Sequence, residues 1–176
     1  TFEKTSTAIK TRGFWLGTNL ITALIAASVI NIFKDTLEQV IFLAVLMPII
    51  ASMGGVAATQ TLTITVRGLA LGQIVKANYF YLFNRELIVG ISNGFIWAVI
   101  LSLIACTWFQ DWLLAWVICL SMIINLTAGV LSGMGIPIFL RSLKLDPAVA
   151  GSVIVTTVTD VIGFFSFLGL ASYFYS

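Results

Sequence analysis

Apolar residues fill this chain in five long blocks separated by short polar ones. The blocks fall at about 13–33, 40–66, 86–108, 112–140 and 148–175. Each is near or above the roughly 20 residues that a helix needs to cross the hydrocarbon of a bilayer. The pattern predicts an all-α integral membrane protein with five transmembrane helices. An odd number of crossings puts the termini on opposite sides. One side receives Lys4, Lys10, Arg12, Arg67, Lys76, Arg85, Arg141 and Lys144, the other only Lys34. Basic residues collect in cytoplasmic loops, so the N-terminus is expected in the cytoplasm and the C-terminus outside. Trp15, Trp108, Trp112 and Trp116 fall near predicted helix ends, as an aromatic belt would. Trp97 does not, and is expected to pack between helices.

Composition agrees. Of 176 residues 60% are hydrophobic and 9% charged, against about 25% charged in an average soluble domain. The formal net charge of +2 expresses the loop bias and is not a nucleic-acid footprint. No short apolar stretch with a small-residue cleavage site opens the chain. The polar, basic segment 1–12 lacks an initiator Met and reads as the cut end of something longer. Cys106 and Cys119 lack metal-ligand spacing, and the chain has no His, which argues against zinc or copper. Both thiols are expected to be buried as small hydrophobes.

One charge sits inside an apolar block. Asp160 lies thirteen residues after Pro147, about 20 Å along a helix and so close to mid-bilayer. A carboxylate at that depth is costly, about 2.5–3.5 kcal/mol on insertion scales, and marks a functional site by default. Ser152, Thr156 and Asp160 are spaced i, i+4, i+8 and form one polar stripe on a helix. The stripe fits the wall of a hydrophilic path. It also fits hydroxyls bonded back to their own helix, with Asp160 joining helices. The path is preferred because of the cost of the charge.

The second block combines Pro48, Gly54-Gly55 and the polar run Thr59, Gln60, Thr61, Thr63, Thr65. Proline removes a helix bond, and a Gly pair permits unwinding or close approach. A broken helix beside a polar cluster suits the lining of a cavity. The alternative is a small-residue packing face, Ala51, Gly54, Gly55, Ala58. Leu69, Leu71, Ile74, Tyr79 and Phe80, in the longest connection, suggest short helices lying at the interface. Asn93 and Asn125 are expected to bond across helices, and Gly129-x-x-x-Gly133 to permit close approach. Asp146 is placed as an N-cap, with Pro147 at the first helical position.

The chemistry on offer is hard oxygen: one carboxylate, hydroxyls and backbone carbonyls. No base–nucleophile pair exists at membrane depth, so the chain is not expected to be an enzyme. Such donors suit Mg²⁺, or else Mn²⁺ or Ca²⁺. One carboxylate is too few for an all-protein cage. A hydrated ion held by Asp160 of two copies about a two-fold axis would remedy the shortage. The rivals are a proton-coupled carrier, in which Asp160 titrates, and a non-transporting membrane subunit.

Several motifs, in order, resemble the transmembrane domain of the MgtE magnesium channels. They are Pro48…Met53-Gly-Gly-x-Ala-x-Thr-Gln60, Val66-Arg-Gly-Leu-Ala70, Arg85-Glu86-x-x-x-Gly90 and Asp146-Pro-Ala148…Thr157-x-x-Asp160. The resemblance covers essentially all of 1–176. It implies five helices per subunit and a homodimer in the plasma membrane with the pore between subunits. It implies Mg²⁺ bound by Asp160, with Ser152, Thr156 and Thr157 supplying oxygens. Gly54, Gly55, Val56, Thr59 and Gln60 would shape the facing wall. It also implies cytoplasmic regulatory domains, absent from these residues. This sequence departs from the family pattern at Val56 and Ser152, where Asn is usual, and at Thr156, where a smaller residue is usual. Each lost amide removes donors and acceptors from the water shell of an ion.

Overall fold

The computed structural model describes residues 5–175, and all regular structure in them is helical. The order is α1 (Thr5–Ile32), α2 (Lys34–Gln39), α3 (Phe42–Ala70), a 3₁₀ turn (Lys76–Asn78), α4 (Tyr79–Phe109), α5 (Trp112–Ser142) and α6 (Val149–Tyr175). Five of these helices are long and apolar enough to cross a membrane. Helices satisfy their backbone groups internally, which a hydrocarbon solvent demands. The chain is a multi-pass membrane protein. Lys4, counted above on the basic side, lies outside the described residues.

The five spans match the five blocks, but their ends do not. Helix α3 continues through Arg67 to Ala70, and α4 begins at Tyr79, well before Arg85. Hydropathy stops at a charge, whereas the backbone ladder does not, and long basic side chains can reach the interface from inside a helix. The expected interfacial helices are therefore mostly parts of α3 and α4. The connection shrinks to 71–78, where Gly72 takes φ +70°. The Asn78 carboxamide accepts from Val75 N at 3.0 Å and donates to Gln73 O at 2.8 Å. Residues 34–39, expected as loop, form the short helix α2.

Helix α5 is the centre of the bundle. It packs against α3, α4 and α6, while α3 and α4 barely touch and α1 leans on α6. Its buried side chains include Leu114, Ile118, Met122 and Leu126. Gly129 and Gly133 face α3 so closely that a Cβ on Gly129 would lie 2.6 Å from the Gly54 carbonyl oxygen. One on Gly133 would strike the Ala58 carbonyl oxygen. The small-x-x-x-small reading of α5 therefore holds.

The break expected in the second block is absent. Helix α3 runs unbroken through Pro48 and Gly54-Gly55. Proline there leaves the Ala44 carbonyl without its usual partner but does not end the helix. Gly54 serves packing instead, for reasons given below.

Side chains fasten the ends. Asp111 caps α5, its Oδ1 accepting from Leu113 N at 2.8 Å and Leu114 N at 3.2 Å. Its Oδ2 accepts from the Tyr175 hydroxyl. At the opposite end Arg141 Nη1 donates to Leu69 O at 2.7 Å. Asp146 Oδ1 accepts from Ala148 N at 2.9 Å, and α6 starts only at Val149. Pro147 thus lies in the turn before the helix and not at its first position.

Candidate functional site

Helices α3 and α6 together present a groove of about 700 Å³ on the outside of the chain. From α3 come Ser52, Gly55, Val56, Thr59, Gln60 and Thr63, and from α6 comes Thr156. Helical spacing explains the set. Ser52, Val56 and Gln60 stand four residues apart, as do Gly55, Thr59 and Thr63, so both rows share one face. Val56 is 51% exposed and Ile64 beside it 61%. The groove is thus a mainly apolar surface dotted with hydroxyl and amide oxygens, open to the surroundings along two membrane-spanning helices. Polar surface facing lipid is unfavourable.

The hydroxyls have a definite orientation. Thr59 donates to Gly55 O, Thr63 to Thr59 O and Thr156 to Ser152 O, each at 2.8 Å. Thr157 donates to Val153 O at 2.7 Å. Each proton is spent on the helix, which leaves the oxygen lone pairs as acceptors. An oxygen so arranged can face a cation or the protons of its water shell. Back-bonding, weighed above as the alternative to a path, is therefore present and compatible with one.

Asp160 follows Thr156 by one turn and is half-buried. No described residue pairs or hydrogen-bonds with it; the ion pair found among them joins Lys34 to Glu38 at 3.4 Å. It does not line the groove itself, nor do Ser152 and Thr157. Ser152 is exposed and Thr157 half-buried. Gly54, placed on the wall from sequence, is buried and turned the other way, onto Asn125 of α5. Among the described residues no three His, Cys, Asp or Glu side chains come together to hold a metal. A cation here would depend on hydroxyl, carbonyl and water oxygens beside one carboxylate per chain.

Asn125 is fully buried and donates from Nδ2 to Ile50 O at 2.8 Å, across 75 residues of sequence. Its cross-helix bond was expected; its partner was not. Asn93 behaves differently. Its Nδ2 returns to Val89 O on its own helix at 3.0 Å, because a second groove of about 340 Å³ separates α3 from α4 there. Trp97 lines that groove and is 46% exposed, so it does not pack between helices. Cys106 and Cys119 are free and only partly buried, sharing a cleft between α4 and α5 with Trp112 and Trp116. Ser52 of the groove was not singled out from sequence, although four-residue spacing from Val56 and Gln60 reaches it; Thr63 was part of the polar run named there.

The family model for MgtE, a divalent cation transporter, matches residues 47–170, from within α3 to the last part of α6. The chain belongs to the MgtE family. It is 35% identical over 160 residues to the magnesium transporter MgtE of Bacillus subtilis, covering 91% of this chain and 36% of that protein. Against the magnesium transporter MgtE of Enterococcus faecalis it is 29% identical over 160 residues, covering 91% of this chain and 35% of the relative. Against that of Thermus thermophilus it is 29% identical over 157 residues, covering 89% and 35%. The chain thus spans about a third of the length of these MgtE relatives. MgtE is a family of transporters and not of enzymes.

Proposed function

We propose that two copies of this chain form a path for divalent cations, Mg²⁺ preferred, across the plasma membrane. Residues 1–176 act as the pore domain, with cytoplasmic regulatory domains lying outside them. The N-terminus is cytoplasmic and the C-terminus outside, and the ion runs down its electrochemical gradient into the cell. The relatives named as magnesium transporters support the choice of ion.

The observation that carries this reading is Asp160, a half-buried carboxylate with no partner among the described residues, one turn from a groove of oriented oxygens. A charge at bilayer depth calls for a counter-charge. One carboxylate balances half of a divalent ion; two, related by a two-fold axis, balance all of it. The same axis would close the two open grooves on each other and remove their polar groups from lipid. Mg²⁺ sheds water reluctantly and would pass with much of its shell. Ser152, Thr156 and Thr157 of α6 supply oxygens, and Gly55, Val56, Thr59 and Gln60 of α3 form the facing wall. Gly54 supports that wall from behind.

Asp160→Asn tests the assignment. Mg²⁺ influx into proteoliposomes is expected to vanish while size-exclusion with light scattering still reports a dimer. Full flux in that variant would defeat the proposal. An unpartnered carboxylate also suits proton coupling, and flux indifferent to a pH gradient would remove that second reading.

A further inference from the structure

The carboxamide of Asn125 stands where the two groove-bearing helices meet the central one. On one side is Gly54 of α3, where a Cβ would come within 2.6 Å of the amide carbon and 2.7 Å of Oδ1. On the other is Gly163 of α6, where a Cβ would lie 2.7 Å from Nδ2 and 3.1 Å from the amide carbon. Two helices each do without a side chain to admit this one group. Gly54 is the immediate neighbour of Gly55 on the groove wall, and Gly163 follows Asp160 by three residues.

The amide is not fully matched. Nδ2 bonds to Ile50 O, but Oδ1 is buried with no partner among the described residues. A buried acceptor left unpaired is unfavourable, and the Ile50 carbonyl lies inside the unbroken helix α3, where its own helix supplies a donor. Adhesion alone would be served by leucine at this position. We infer that Asn125 is a positioning residue for transport: its carboxamide sets the separation between the Asp160-bearing helix and the facing wall of α3, and so the size of ion the path favours. The argument rests on the function proposed above. Discrimination among hard cations depends on cavity size and rigidity, and a planar amide wedged between two backbones is a stiff spacer.

The test compares influx of Mg²⁺, Mn²⁺ and Ca²⁺ into proteoliposomes for the unaltered protein, Asn125→Leu and Gly163→Ala. Asn125→Leu removes the polar group at similar volume. Gly163→Ala leaves it in place and pushes on it from the α6 side. Both variants are expected to change the Ca²⁺ to Mg²⁺ flux ratio by roughly three- to thirty-fold. A residue of purely structural worth would lower all three fluxes by one common factor, and that result, or unchanged ratios in both variants, overturns the inference. Should Asn125→Leu fail to assemble, Gly163→Ala decides. Absence of divalent flux in the unaltered protein would instead count against the function proposed above.

Discussion

The hydroxyl of Tyr175 donates a hydrogen bond to Oδ2 of Asp111. The last turn of α6 is thereby tied to the residue that caps α5, and one carboxylate serves two helices. Asp111→Ala removes both roles and is expected to cost about 1–2 kcal/mol. Tyr175→Phe removes one and is expected to cost about 1 kcal/mol. Thermal unfolding in detergent should rank the unaltered protein above Tyr175→Phe and Tyr175→Phe above Asp111→Ala.

Gly129 and Gly135 lie on the same helix and should respond oppositely to a methyl group. Gly129→Ala drives a Cβ into the backbone of α3 and is expected to destabilise by about 1–3 kcal/mol, as overpacking does. Around Gly135 a Cβ would meet nothing within 4 Å. Gly135→Ala is expected to stabilise by about 0.5–1 kcal/mol through helix propensity. Unfolding midpoints of the pair check both signs.

In the proposed dimer, a second copy seated over the α3–α6 groove would bring the two Val56 side chains near each other. With Cys106 and Cys119 replaced by Ala, Val56→Cys should give a dimer band with a short bifunctional thiol reagent in membranes. Phe95→Cys, 59% exposed on α4, should not. Equal cross-linking at both positions would contradict the arrangement.

Thr156 offers the groove an oxygen whose proton is already committed to Ser152 O. Thr156→Ser keeps that oxygen and should keep Mg²⁺ flux near the unaltered level. Thr156→Val deletes it at nearly constant shape and should reduce flux roughly fivefold, the worth of about 1 kcal/mol. Equal fluxes in the two variants would remove Thr156 from the path.

Arg141 reaches across 72 residues to the carbonyl of Leu69 and closes the C-terminal end of α3. Arg141→Met keeps the aliphatic stem and loses the donor. Amide exchange is expected to quicken at 71–74, whose N–H groups bond back to Arg67, Gly68 and Leu69, and to stay unchanged near Asp111. A uniform change along the chain would show that the contact does not act locally.

The sequence made the membrane fold readable because twenty apolar residues in a row have few other uses. The stripe on α6 and the Gly129–Gly133 approach were readable for a similar reason, since both follow from helical spacing alone. Helix ends were not. Arg67 and Arg85 look like boundaries to hydropathy, yet the backbone ladder passes both. In sequence Gly54-Gly55 permits either unwinding or close approach, with unwinding beside the polar run preferred; Gly54 instead makes room for a neighbour, a distinction that depends on the distant Asn125. Asn93 and Asn125 look alike in sequence. One bonds to its own helix and the other across the bundle, according to whether a groove or a packed helix lies opposite.

The central place of α5 bears on how the protein is made. Helices leave the ribosome in order, and α1, α3 and α4 are all synthesised before the elements they mainly pack on, which are α6 for the first and α5 for the other two. Helices α3 and α4 must therefore wait in lipid until the fourth span arrives, α3 with Thr61 uncovered, and α1 waits for the fifth. Slow or faulty delivery of α5 would leave α3 and α4 without their main packing partner, exposed to quality-control proteases, and would be expected to lower the yield of folded protein.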